Sequence, residues 1–376
     1  MDFSVTQAQE ELSALGRQIL ADRATPDRLT ELEQAGLGFD QELWADLAIA
    51  DILGAALPAQ LGGDGYGLAE QCSILVEIGR AVALAPYLES IVLGAGAIAR
   101  FGMDEQLKRW AGPAAAGDLV LTGALSEAGS EDPRTPVTRA DYVNGRWLLR
   151  GTKTTVPFGA SAGLFLVPAT TGPGVAVFCV EPADPGVSIA PQRLIDGAGA
   201  AELEFDSVGL DDDRLLGRPG SGSGSGAEVV DWLLARATVG LCALQLGVAE
   251  RALELTAEYA RNRQQFGRPI GAFQAVAQRL ADAYIDVEAI RLTMWQAAWR
   301  LAAGLPCDAE IATAKFWAAD AGHRVAHTAV HVHGGVGIDI SHPLHRYFTA
   351  AKRNEFALGG ATTQLRRLGA ALAATG

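Results

Sequence analysis

From residue 3 to about residue 117 the apolar positions recur at helical spacing, interrupted at Pro58, at Gly62-Gly63 and at Gly65 and Gly67. No sustained strand alternation intervenes, so residues 1–118 are expected to form a helical first domain. From residue 119 to about 216 the period changes. Tyr142-Val143 and Trp147-Leu148-Leu149 flank Asn144-Gly145, the dipeptide that most favours a tight hairpin turn. Residues 164–167, 175–180 and 201–205 are short β-rich runs bounded by Gly, Pro and Asp, the texture of a small antiparallel barrel or sandwich over residues 119–216. Residues 217–226 read GRPGSGSGSG, a composition that predicts a mobile loop held at its two ends. Helical spacing then returns at residues 229 to about 263, 273–303 and 308–331, with a last helix from about Thr362. Residues 217–376 are therefore a C-terminal helical domain. Helices of this length suggest a four-helix bundle, which often oligomerises through its faces.

Composition narrows the classes of function. The 376 residues are 49% hydrophobic and 20% charged, enough to bury a large core. The formal net charge is -14 and no Lys/Arg-rich run occurs, so nucleic acid has no electrostatic footprint to follow. Cys72, Cys179, Cys242 and Cys307 lie far apart, as reduced, buried thiols do. The N-terminus lacks a basic region followed by an apolar run, so no signal peptide is read and a cytoplasmic location is expected. Residues 229–248 are the most apolar stretch, but Asp231, Arg236 and Gln245 interrupt it. It reads as a buried core helix, not a membrane span.

Three motifs in fixed order carry a resemblance. Arg263-Gln264-Gln265-Phe266-Gly267-Arg268-Pro269-Ile270, running on to Phe273-Gln274, resembles the acyl-CoA dehydrogenase signature R-x-x-F-G-x-x-I-x-x-x-Q. His331-Val332-His333-Gly334-Gly335-Val336-Gly337, followed by Pro343-Leu344-His345-Arg346-Tyr347, is similar to that family's second signature. Leu57-Pro58 with Gly62-Gly63-Asp64-Gly65 resembles its proline and glycine turn. The resemblance spans nearly the whole chain and implies an α+β fold: an N-terminal helical domain, a central β-barrel domain and a C-terminal four-helix bundle. It also implies FAD as cofactor, an acyl-CoA substrate and an electron-transfer flavoprotein as redox partner. In this family the first two segments reach the FAD of a neighbouring subunit. By that likeness Arg263, Gln265, Phe266, Gln274, His331, Gly334 and Gly335 would contact a partner's FAD. The chemistry agrees, since a pyrophosphate needs a cation with several donors and glycines that let backbone N–H groups come close.

The chain departs from the family where proton abstraction occurs. Removing an α-proton beside a thioester carbonyl needs a carboxylate base, which the family carries in a Tyr-Glu-Gly-Thr run. The matching stretch is Leu358-Gly359-Gly360-Ala361, which puts the glutamate position on Gly359; a shift of one lands on Leu358 or Gly360. A second family location, just before the arginine matched by Arg236, holds Ala235. The T-E-P-G-x-G-S-D loop is shortened to Ser126-Glu127-Ala128-Gly129-Ser130-Glu131-Asp132. The flavin-facing W-I-T-N-G strand is matched by Thr155-Val156-Pro157-Phe158-Gly159. Proline brings neither N–H nor hydroxyl to a flavin. The resemblance thus points to the subunit without the base in a heteromer, donating half of a FAD site to a glutamate-bearing paralogue. Bacterial members of the family form such two-gene assemblies, often on bulky acyl-CoA esters such as steroid side chains.

Other readings stay open at this level. Asp231 or Glu355 could be a displaced base in a self-sufficient enzyme, although a helix N-terminus and the neighbours Lys352 and Arg353 explain both carboxylates without catalysis. A flavin-dependent monooxygenase or a non-catalytic bundle subunit could use the same fold. All six histidines lie between His323 and His345, with His323, His327 and His331 at spacings of four. Apart from Asp320 one turn earlier, no carboxylate or thiol accompanies them at ligand spacing, so they read as helix-face histidines and not as a metal site.

Overall fold

The structure, a computed structural model, describes residues 5–130 and 132–375; Phe3, in the first helical pattern, and Glu131 of the shortened loop lie outside the described residues. The elements are α1 (Gln7–Arg23), α2 (Pro26–Gln34), α3 (Gln41–Ile49), α4 (Leu68–Ala81), α5 (Gly96–Phe101), α6 (Asp104–Gln106), α7 (Gly112–Ala115), β1 (Leu121–Gly123), β2 (Arg139–Val143), β3 (Arg146–Pro157), β4 (Leu164–Thr171) and β5 (Gly174–Val180). They continue with β6 (Val187–Arg193), β7 (Gly199–Leu210), β8 (Leu215–Leu216), α8 (Gly226–Asn262), β9 (Gln264–Gln265), β10 (Arg268–Pro269), α9 (Gln274–Ala302), α10 (Asp308–His333), α11 (Leu344–Phe356) and α12 (Ala361–Thr375). An N-terminal helical part, a central sheet and a C-terminal helical part follow one another as expected. By contact the chain forms two compact units: the residues up to Leu29 with Leu68–Ala83 and everything from Thr238, and Thr30–Gly67 with Leu84–Ala237.

In the first unit, α1 begins on a capping box. The Thr6 hydroxyl accepts from the Gln9 N–H at 3.2 Å, and the Gln9 side chain accepts from the Thr6 N–H at 2.8 Å. Helices α4 and α8 touch backbone to backbone. A Cβ at Gly79 would stand 2.1 Å from the Leu244 carbonyl oxygen, and one at Gly247 2.0 Å from that of Val76. Small side chains continue the close packing, with Ala252, Ala326, Ala329, Ala350 and Ala351 around Leu344 and Tyr347. Lys315 is fully buried and donates to the carbonyls of Asn354 at 2.8 Å and Glu355 at 3.2 Å, in the last turn of α11. A cation there meets carbonyls that the helix leaves unpaired. Burial pulls the Lys315 ammonium down to about 8.

In the second unit, the strand order is β6-β7-β3-β2-β4-β5-β8, with β1 beside β4 in parallel. Asn144 and Gly145 both take positive φ, 53° and 84°, and Val143 pairs with Arg146, the two-residue hairpin the dipeptide predicts. β4 and β5 are largely buried, while β6 is an edge with little burial. Among the described residues the end strands β6 and β8 do not pair with each other and β1 runs parallel to β4, so the expected central β domain is built on a mixed sheet.

Two further expectations need correction. The Gly/Ser segment is hydrogen-bonded through its middle as well as at its ends: the Gly220 N–H donates to the Val175 carbonyl at 3.1 Å and the Gly224 N–H to the Glu228 carboxylate at 2.6 Å. Helix α11 was not foreseen, because it is polar overall: Arg346 and Asn354 share its buried face with Leu344, Tyr347, Ala350 and Ala351. α8 is long and apolar enough to cross a bilayer, yet 78% of its most apolar 18-residue window is buried. It is a core helix.

Candidate functional site

Past the end of α8 the chain turns back on itself as a short ribbon, Gln265 opposite Arg268 and Gln264 opposite Pro269. Phe266 and Gly267 make the turn with φ of 54° and 77°. Phe266 is 91% exposed, an uncommon position for a phenylalanine with no partner to cover it. Its ring meets Phe273 edge-on at 6.1 Å, and the Arg268 guanidinium lies 4.3 Å over the Phe273 ring. Arg263, Gln265 and Gln274 are exposed too. Arg263 has no ion-pair partner among the described residues, in a chain of net charge -14.

The second segment lies at the end of α10. His331 is exposed, and a Cβ added at Gly334 or Gly335 would meet nothing within 4 Å. Only Gly334, with φ of 65°, needs glycine for its own backbone. At Gly335 the bare Cα leaves room for something outside this chain. His333, next to them, is buried and stacked on Tyr259 at 4.3 Å, one turn of α8 before Arg263. Ala275, Gln278 and Arg279 of α9 share a groove of about 1050 Å³ with His327, Thr328 and His331 of α10. The stack and the groove bring the two motif segments to one end of the first unit.

The turn that resembles the base-bearing run has a definite shape. Leu358 and Gly359 take φ of 56° and 92°, and the Gln364 amide donates to both of their carbonyls, at 3.1 and 3.0 Å. A Cβ at Gly359 would stand 2.7 Å from the Thr363 Cγ2. A side chain does not fit there. At Gly360 the φ is ordinary and a Cβ would meet only the Glu355 carbonyl oxygen, at 3.6 Å. The position assigned to the glutamate by likeness is thus closed to any side chain, while the next residue is open. Gly359→Ala is expected to destabilise the chain by about 1–3 kcal/mol, whereas Gly360→Ala should be neutral or stabilise by about 0.4–1 kcal/mol. Thermal unfolding of the two variants checks this; equal losses would refute the geometry.

Ala235 stands on α8 beside Arg236, whose guanidinium lies 3.9 Å over the Trp232 ring. Asp231 is held by Arg134 at 2.5 Å. Glu355 is bonded by Lys352 at 2.9 Å and lies 3.1 Å from His323 Nδ1, to which Lys352 also donates at 2.6 Å. Burial raises the Glu355 pKa, but the bonds from Lys352 and His323 outweigh it and hold the carboxyl below its ordinary value. Among the described residues no group of three or more His, Cys, Asp and Glu side chains is arranged to hold a metal ion.

The shortened loop holds a pair that motif reading passed over. Glu127 and Lys153 are buried, their side chains 4% and 0% exposed, and meet at 2.5 Å. The same carboxylate accepts the N–H groups of Val137 at 2.5 Å and Thr138 at 3.1 Å. Lys153 faces inward from β3 by strand alternation, a signal the sequence carries, but its partner lies 26 residues away. Downstream, Pro157 turns its carbonyl to the Thr122 hydroxyl at 2.7 Å, and Phe158, only 3% exposed, packs edge-on to Phe39 at 6.3 Å. The segment matched to the flavin-facing strand is thus folded into its own unit, with Thr155 and Phe158 at positive φ.

Comparison with known proteins gives the family and the fold. The profile for the acyl-CoA dehydrogenase N-terminal domain matches residues 6–118, and that for the acyl-CoA dehydrogenase C-terminal domain matches residues 224–373. The chain is 49% identical to the acyl-CoA dehydrogenase FadE27 of Mycobacterium tuberculosis, over the full length of both. Its fold superimposes on a chain of the ChsE4-ChsE5 complex from Mycobacterium tuberculosis with a TM-score of 0.93 and 50% identity, covering 99% of each chain. A chain of the steroid ACAD Tcur3481-Tcur3483 gives a TM-score of 0.90 and 39% identity, covering 98% of each.

Proposed function

Because the chain belongs to the acyl-CoA dehydrogenase family, whose members bind FAD, we propose that it is the subunit without the base in a heteromeric acyl-CoA dehydrogenase. It completes the FAD site of a paralogue that carries the catalytic glutamate. The substrate proposed is an acyl-CoA thioester with a bulky acyl group, in keeping with the steroid ACAD it resembles. The carrying observation is an asymmetry. The position matched to the base has no space for a side chain, while the motif residues that face outward are exposed and without use in this chain.

Arg263 supplies the uncompensated cation for a pyrophosphate. Gly334 and Gly335 offer bare backbone beside it, and Gln265, Gln274 and His331 add polar side chains to the same end. Phe266 covers apolar surface of the partner. When bound, FAD would supply the hydride acceptor for the β-carbon, with an electron-transfer flavoprotein as its own electron acceptor, while Arg263, Gln265, Gln274, His331 and the Gly334-Gly335 backbone would hold it. The partner's glutamate removes the α-proton.

The test is co-expression with the paralogue, followed by counting FAD per pair of chains. FAD is expected in the assembly and absent from the lone chain. Arg263→Ala in the assembly should weaken FAD retention by roughly 10- to 150-fold, the value of a charged hydrogen bond of about 1.5–3 kcal/mol. A lone chain that keeps a full complement of FAD would sink the proposal.

A further inference from the structure

The turn that carries Gly334 and Gly335 is bounded by histidines whose protons the hydrogen bonds assign. Nδ1 of His333 lies 2.9 Å from the Ala329 carbonyl oxygen. A carbonyl only accepts, so this nitrogen holds the proton. The His333 ring, buried and stacked on Tyr259, stands 5.2 Å from the ring of His342. His342 has the opposite arrangement. Its Nδ1 accepts the backbone N–H of Leu344, the first residue of α11, at 3.3 Å, and must be bare to do so.

Protonation of His342 can therefore occur only on Nδ1. The new N–H would face the N–H of Leu344, turning an acceptor into a second donor. It would also place positive charge at the N-terminal end of α11, where the helix dipole disfavours it. The groups facing His342 are known from each side. Asp339 lies on the same turn, its carboxylate taken by the Ser341 N–H at 2.9 Å and hydroxyl at 2.8 Å. His345 on α11 donates from Nδ1 to the His342 carbonyl at 2.7 Å, a bond that a second proton on His345 leaves intact. His333 comes from α10, backed by Tyr259 of α8.

We infer that the segment between α10 and α11 is an acid-released latch, in which neutral His342 caps α11 and so holds the Gly334–Ile338 turn in shape. Charging His342 uncaps the helix and frees the turn. On the proposed function this turn is the part offered to the partner's cofactor, so the latch couples assembly to pH; that link rests on the proposed function, while the latch itself does not. The direction of titration agrees. Burial lowers the pKa of His342 by more than Asp339 raises it, and burial lowers that of His333 despite its bond to Ala329. The neutral state is then complete above the ordinary imidazole value of about 6.5, and stability is lost as pH falls through the lower folded values.

Hydrogen exchange of the full-length chain alone, corrected for intrinsic rates, tests the latch between about pH 7.5 and about pH 5. Protection across the turn and the start of α11 should fall severalfold in the unsubstituted chain. His342→Asn keeps an acceptor for Leu344 but does not titrate, so its protection should hold within about twofold. His342→Ala, with no acceptor, should be poorly protected at both pH values. A pH-independent unsubstituted chain, an H342N chain that loses protection as steeply, or an H342A chain protected as well as the unsubstituted one at the higher pH would each overturn the latch. Sedimentation of the co-expressed pair at the same pH values separates the two ideas. Loss of exchange protection without any assembly at neutral pH would leave the latch standing and remove the heteromer.

Discussion

Purified alone, the chain is expected to oxidise an acyl-CoA thioester at least ~100-fold more slowly than its assembly with a glutamate-bearing paralogue, since a positioned base contributes about 10²–10⁴-fold. The argument rests on the carboxylates the chain does have. At 359 a side chain would collide with Thr363, and at 235 there is only a methyl group. Asp231 is ion-paired with Arg134, and its side chain is 57% exposed. Glu355 is bonded by Lys352 and held below its ordinary pKa, which weakens it as a proton acceptor. Single-turnover flavin bleaching of the co-expressed pair, and of the lone chain supplied with excess FAD, measures the ratio. Glu355→Ala in the pair should leave turnover within about twofold, as expected of a carboxylate engaged in a structural ion pair. Comparable rates for lone chain and pair, or abolition of turnover by that substitution, would restore the displaced-base reading.

The largest expected effect on stability is at Lys153. Replacing it with methionine leaves Glu127 as a buried charge with no counterion, a loss of about 3–5 kcal/mol. The pair is the staple of the 126–138 loop, because the same carboxylate binds the Val137 and Thr138 N–H groups. Burial raises the Glu127 pKa, but the bond from Lys153 and those from the loop outweigh it, so the carboxylate stays charged in the folded chain. Lys153→Met with Glu127→Leu should recover part of the loss, since it removes the uncompensated charge but also the acceptor of the Val137 and Thr138 N–H groups. Urea unfolding of the single and double variants measures both. A single-variant loss under ~1 kcal/mol, or a double variant as weak as the single, would show that the pair is not the staple.

How far motif and pattern reached can be judged from particular residues. The Asn144-Gly145 hairpin and the long helices α8, α9 and α10 were legible because each is set by contacts within one period or one turn. So were the exposed Arg263 ribbon and the glycines after α10, marked by residue types that make little sense in a core. Helix α11 was not, since its composition is polar and its buried face includes Arg346 and Asn354, whose burial only the packed structure decides.

The missing base divides in the same way. Its absence is written in the residues, because glycine and alanine cannot accept a proton wherever they lie. That 359 is closed and 360 open is not written there. It follows from the sign of φ at Gly359 and from the distance to Thr363, which arise only once α12 packs and Gln364 binds the turn. The Glu127–Lys153 pair and the proton positions on His333 and His342 belong to the tertiary structure as well. Sequence by itself determined that glycine and alanine stand at the two positions which likeness assigns to the base, and which residue types the chain offers outward. Only folding decided where a side chain fits and which nitrogen holds a proton, because both depend on atoms brought together from distant parts of the chain or by the local turn of the backbone.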